Sequence, residues 1–98
     1  MPAATRIGDH DEVDCEDIFR AKGSPDVAVN KRAWSRQTDP NTSHNAMVAQ
    51  CKVCHVGRIL KGSTTVFVNS LGAGRLGDLL DNSCTMVVQG SDNVNCGG

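Results

Sequence analysis

The stretch GSTTVFVN, residues 62–69, with GAGRLGD close behind it at 72–78, decides the reading of this 98-residue chain. Val66 and Val68 stand two apart, which puts them on one face of an extended strand; Gly62-Ser63 opens that strand with turn chemistry and Asn69 closes it. In the second segment Arg75 precedes Asp78 by three positions. Both signatures recur. Gly23-Ser24 and Gly90-Ser91 repeat Gly62-Ser63, and Arg6/Asp9 and Arg36/Asp39 repeat Arg75/Asp78. Three residues past each Ser stand Val27, Val66 and Val94; five past it stand Val29, Val68 and Cys96; six past it stand Asn30, Asn69 and Gly97. From Ser24 to Arg36 and from Ser63 to Arg75 the spacing is twelve in both cases. One Gly-Ser pair carries no information, but this many offsets held in three copies exceed coincidence and mark an internal repeat.

The repeat is elastic between Asp and Gly-Ser. Gly23 lies 14 positions past Asp9, Gly62 lies 23 past Asp39, and Gly90 lies 12 past Asp78. Length variation confined to one place marks loops on one face or end. SPDVAVN and STTVFVN read as strands, and ATRI, AWSR, AGRL, RIL and MVV are further strand candidates. No helical periodicity runs longer than about two turns. The expectation is a single all-β domain over 1–98, with repeats at roughly 1–30, 31–69 and 70–98 and pseudo-threefold symmetry. Cys96 takes the alternating apolar position of Val29 and Val68, which suits a small buried hydrophobe.

Size and charge exclude several functions. A chain of 98 residues is too short for a large enzyme fold, and help with folding from a metal or a partner is expected. Ten Lys plus Arg against 11 Asp plus Glu, a net charge of −1, argues against a nucleic-acid partner, whose affinity comes mostly from phosphate neutralisation. The apolar runs fall far below the roughly 20 residues that span a bilayer, and MPAATRIGD has no signal-peptide core. Synthesis in a reducing cytoplasm is expected. There, five cysteines favour metal ligation or burial over a disulfide scaffold.

Two motifs read as decoys. CKVCH, residues 51–55, matches the haem-attachment pattern but lacks the helical packing and axial partner that a cytochrome needs. The same residues with Cys84 or Cys96 suggest a zinc-ribbon-like adaptor, although a ribbon needs a second C-x-x-C. GAGRLG, residues 72–77, matches a dinucleotide fingerprint, yet it is in register with ATR and WSR of the other copies, so its glycines read as turn residues. No Ser/His/Asp or paired-carboxylate arrangement stands out, and the expectation is a protein that is not an enzyme.

MPAATRIGD, GSPDVAVN, GSTTVFVN with GAGRLGD, and GSDNV together resemble the PAAR-repeat family, which forms the pointed caps of contractile phage tails and type VI secretion systems. The resemblance spans nearly the whole chain, in order as well as in motif. It implies a small cone of β-strands whose broad base sits on a homotrimeric β-helical spike and whose apex carries a metal ion. Two departures touch local turns: Thr38 precedes Asp39 where the family prefers Gly, and Lys31 and Ser70 follow the Asn where Gly is usual.

On that implied cone the ligands can be assigned. Cys15 is six past Asp9, His44 five past Asp39 and Cys84 six past Asp78, equivalent loop positions that would converge on the axis. The fourth ligand comes from the longer second loop, where His55 best resembles the family's second histidine and Cys51 and Cys54 compete with it. Two cysteines and two histidines suit a closed tetrahedral zinc site, with iron as the alternative metal. His10, directly after Asp9, reads as a surface histidine.

The resemblance further implies a structural tip, monomeric when free. One copy would cap each trimeric spike and be carried in the virion tail or secretion apparatus to the target envelope, touching the membrane only in passing as the machine contracts. The spike-binding residues are not assigned from sequence. The rival reading is a metal-stabilised adaptor between two proteins.

Overall fold

The computed structural model describes residues 2–12, 17–42, 57–81 and 85–97. Among these residues there is no helix; the structure is strand-rich, with small antiparallel sheets. Its Cα radius of gyration is 12.6 Å, close to the roughly 13 Å of a compact 100-residue chain.

Two hairpins carry the named strands. β1 (Ala28–Val29) pairs antiparallel with β2 (Arg32–Ala33), and β3 (Phe67–Val68) pairs with β4 (Leu71–Gly72). Each is closed by two residues, Asn30-Lys31 or Asn69-Ser70, all four at positive φ between 52° and 69°. This is the type I′ geometry that two-residue hairpins require, kept even though Lys31 and Ser70 stand at a position that favours Gly.

The strands are shorter than the alternation predicts, and the serines explain why. Ser24 Oγ accepts the amides of Asp26 and Val27, and Ser63 Oγ those of Thr65 and Val66. The hydroxyl bends SPD and STT into a turn, leaving only the last two residues before each Asn for the strand. Val29 and Val68 are buried as expected, whereas Val27 is at the surface.

A third pairing involves the N-terminal residues. Ala3 bridges Asn95 as Ala33 bridges Ala28 and Gly72 bridges Phe67, and the Cys96 amide donates to the Pro2 carbonyl. Pro2 and Ala3 thus stand where β2 and β4 stand in the other two pairings.

Farther from the hairpins, single bridges link short segments into a closed circuit. His10 pairs with Phe19, Arg20 with Asn41, Pro40 with Arg58, Ile59 with Leu80, Leu79 with Met86, and Val87 with Asp11, all antiparallel. A circuit of this kind has no free strand edge. Its inward positions are the buried Asp11, Arg20, Asn41, Ile59, Leu80 and Val87. The last three of that set, Ile59, Leu80 and Val87, pack together as an apolar cluster. A second cluster joins Val68, Ala73 and Cys96, with Trp34 and Val66 against it. Between the two layers the amides of Thr5, Gly74 and Ser35 donate to the carbonyls of Gly74, Ser35 and Thr5 in turn, a three-membered cycle of backbone bonds. A Cβ at Gly74 would come within 2.5 Å of the Ser35 carbonyl oxygen, so only glycine fits there.

Candidate functional site

Each loop leaves the body of the protein on an Arg-x-x-Asp turn. The Asp9 amide donates to the Arg6 carbonyl, and Asp39 and Asp78 do the same to Arg36 and Arg75. The residue before each Asp has positive φ: 87° at Gly8, 72° at Thr38 and 90° at Gly77. A tight turn with positive φ at its third residue is the type II pattern, which favours Gly.

The side chains close the same turns. Asp9 Oδ2 accepts from the Arg6 amide at 2.8 Å and from Arg6 Nε at 2.9 Å, while Oδ1 accepts from Arg6 Nη2 at 2.9 Å. Asp39 holds Arg36 through the same three contacts, and Asp78 holds the Arg75 amide, Nε and Nη2. These carboxylates are buried. The hydrogen bonds that each guanidinium donates to its Asp raise all three groups above the ordinary arginine value, with burial working against them. A two-pronged pair of this kind fixes direction as well as distance, so it aims the loop that follows. The burial of the carboxylates makes these pairs part of the turns and not a solvated row of charges.

The far ends of these arginines lead to a second set of contacts, which sequence reasoning missed. Arg6 Nη1 donates to Asn30 Oδ1 and Arg36 Nη1 to Asn69 Oδ1. The same oxygens receive Ser91 Oγ and Ser24 Oγ, each at 2.6 Å. Ser63 Oγ donates to the carbonyl of Gly97, at the position where the other copies have Asn. The serine-to-acceptor bonds therefore run from Ser24 to Asn69, from Ser63 to Gly97 and from Ser91 to Asn30. The Ser and the Asn six positions on were both visible in the repeat, but their offset described a local turn and not a bond to the neighbouring copy.

Inside the closed circuit lies a polar network. Arg20 Nη1 is 3.4 Å from Asp11 Oδ2, both side chains fully buried. Asn41 Nδ2 donates to the same Asp11 oxygen, and Asn41 Oδ1 accepts the Gly57 amide. Arg20 Nη2 donates to the Asp39 carbonyl at 2.7 Å. Burial raises the Asp11 carboxyl above its ordinary value against the opposing pull of Arg20, and burial lowers Arg20. Among the described residues, Asp11 Oδ1 and Arg20 Nε and Nη1 have no hydrogen-bond partner. The signal in sequence is the position two past each repeat Asp, which is Asp11, Asn41 and Leu80 in the three copies.

Cys15, His44, His55 and Cys84 lie outside the described residues, as do Cys51 and Cys54. Among the described residues no group of three or more His, Cys, Asp or Glu is placed to hold a metal. What is described is the base of each loop that would carry the ligands. His10 is exposed, its ring centroid 4.4 Å from that of Phe19. Cys96 is buried beside Val68 and Ala73, a core position. The glycines of GAGRLG serve packing and turning: Gly72 lies in β4 and Gly77 in the type II turn.

No protein-family model matches this chain, and no curated protein matches it.

Proposed function

We propose that this protein is a non-catalytic PAAR-like tip, a small cone with internal threefold symmetry that caps a homotrimeric β-helical spike and stiffens its point with a metal ion. The observation that carries the reading is the cycle of amide bonds through Thr5, Gly74 and Ser35, which occupy the position before Arg6, Arg75 and Arg36. Three equivalent positions bonded head to tail around one centre are what a threefold axis requires. The serine bonds that step from each copy to the next support the same symmetry.

One chain with three similar copies matches a threefold surface without itself being a trimer. Within this reading the Arg-Asp turns aim three loops at the apex, where Cys15, His44, His55 and Cys84 hold zinc or iron. Saturated four-coordinate zinc is structural and supplies folding free energy where three short loops bury little apolar surface. Force passes through such a tip on contraction, and no substrate is turned over. Membrane contact is transient, as the tip is driven through the target envelope from a phage tail or a type VI secretion apparatus.

The test is a native mass spectrum of the chain co-expressed with the trimeric β-helical spike encoded in its own genome. One chain and one metal-sized increment per three spike chains is the expected result. A metal-bearing monomer that ignores the spike would favour the adaptor reading, and a metal-free monomer would remove the ligand assignment.

A further inference from the structure

Leu60, Lys61 and Gly62 face Arg75, Gly77 and Leu79 across an open pocket of about 270 Å³, with Asp78 at its wall. The pocket exists because a space filled elsewhere is open here. Beside Asp9, Arg32 lays its guanidinium on the carboxylate at 3.0 Å, and a Cβ at Gly8 would lie 3.4 Å from Arg32 Nη1. The residue paired at the equivalent place in the third copy is Pro2, which has no such side chain, and a Cβ at Gly77 would meet nothing within 4 Å.

The charge of the lining is unbalanced. Asp78 is committed to Arg75, accepting from its amide, Nε and Nη2. Lys61 is exposed. Arg75 Nη1 has no acceptor among the described residues, whereas Arg6 and Arg36 donate the same nitrogen to Asn30 and Asn69. Gly97 stands where the third Asn would be, and it offers no side-chain oxygen. Two cations thus share one carboxylate that is already engaged. The remaining walls are apolar: Leu60 and Leu79 are 57% and 58% exposed, high for leucines that flank a concave site.

We infer that this pocket binds a carboxylate carrying a short branched aliphatic group, the acid beside Arg75 and Lys61 and the aliphatic end between Leu60 and Leu79. A small concave site with apolar walls and a few convergent polar groups is the usual form of a ligand site. The same chemistry is offered by a free branched-chain acid and by the C-terminus of a polypeptide ending in Val or Leu. The site is independent of the cap reading, since it depends on neither the spike nor the metal.

The experiment is an amide-resolved NMR titration of the full chain with 3-methylbutanoate, with N-acetylvaline as a mimic of a polypeptide C-terminus, and with 3-methylbutanamide as the uncharged control. Saturable shifts at the amides of Gly62, Gly77 and Leu79 with either acid, absent with the amide, are expected. Tighter binding of N-acetylvaline would identify a polypeptide end, and tighter binding of 3-methylbutanoate a free acid. Lys61→Gln, an exposed change that leaves the Arg75 turn intact, is expected to weaken the acid roughly threefold, the scale of one exposed ion pair. Equal binding of the amide, or no saturable shift with either acid, would overturn the inference.

Discussion

Ser24 Oγ donates to Asn69 Oδ1 at 2.6 Å across a separation of 45 residues, while accepting the amides of Asp26 and Val27 from its own turn. One hydroxyl thereby shapes a turn and ties it to the next copy. Ser24→Ala takes the acceptor from two amides and leaves the Asn69 oxygen to Arg36 alone, and a loss of about 1–3 kcal/mol in urea unfolding is expected. Asn69→Ala removes the other half. The double variant should be less destabilised than the sum of the singles, with a coupling of at least about 0.5 kcal/mol; strict additivity would mean that the bond contributes nothing.

Thr38 is a β-branched residue held at φ 72°, at the position where the equivalent turns have Gly8 and Gly77. Left-handed backbone costs a non-glycine residue about 1–2 kcal/mol. Its amide donates to the Ile59 carbonyl, a bond glycine keeps, and its side chain is exposed. Thr38→Gly should therefore raise stability by about 1 kcal/mol despite glycine's greater freedom when unfolded, and raise the melting temperature by about 4–8 °C. A lower melting temperature would refute the strain.

The Asp11 carboxyl is raised by burial, with Arg20 and the Asn41 amide pulling the other way and Asp9 adding to the rise. A folded value above the unfolded one means that the neutral form is favoured by folding. The stability contribution of Asp11 is then fully present below the unfolded carboxylate value of about 4, and is lost as pH rises through the folded value. Asp11→Asn mimics the neutral form, so its stability relative to the wild type should be lowest in acid and should improve toward neutral pH. Asp11→Ala should lose about 3–5 kcal/mol, because the buried Arg20 then loses its counter-ion and Asn41 Nδ2 its acceptor. Urea unfolding across a pH series checks both, and a wild type that gains on Asp11→Asn as pH rises would reverse the assignment.

On the proposed metal site, replacing Cys84 by Ala is expected to release the metal and to lower the melting temperature by at least about 4 °C, the shift of roughly 1 kcal/mol in a domain of this size. Cys51→Ala and Cys54→Ala should keep full occupancy if His55 completes the set. Ligation needs deprotonated thiols and neutral imidazoles, so acid should strip the metal from the wild type. Elemental analysis of purified variants gives the occupancy directly, and full occupancy in Cys84→Ala would break the assignment.

Local offsets were legible in the sequence because local bonds produce them. Arg6 and Asp9, with their two counterparts, stood out as an offset of three repeated in each copy, and a buried ion pair closes a turn at each. Val68 and Cys96 announced a buried position by alternation alone. Strand length was overestimated because a serine hydroxyl competes with the ladder for the same amides, a contest that hydrophobic alternation does not register. Which residue partners which, in the Asp11–Arg20 pair and in the bonds from each Ser to the next copy, was not legible for a different reason. They join residues whose separation varies with loop length, so no fixed spacing encodes them.

The pairing of Pro2 and Ala3 with Asn95 and Cys96 turns a linear chain into a loop with a clasp. Two of the three pairings are hairpins closed by covalent turns at Asn30-Lys31 and Asn69-Ser70, while the third is held by hydrogen bonds between residues far apart in the sequence. Where the clasp falls is a choice that the architecture does not impose. A short linker joining residue 97 to residue 2, with the chain cut instead between Asn30 and Lys31, would move the opening a third of the way round and leave every other bond in place. Tension applied at residues 2 and 97 would open the necklace there first.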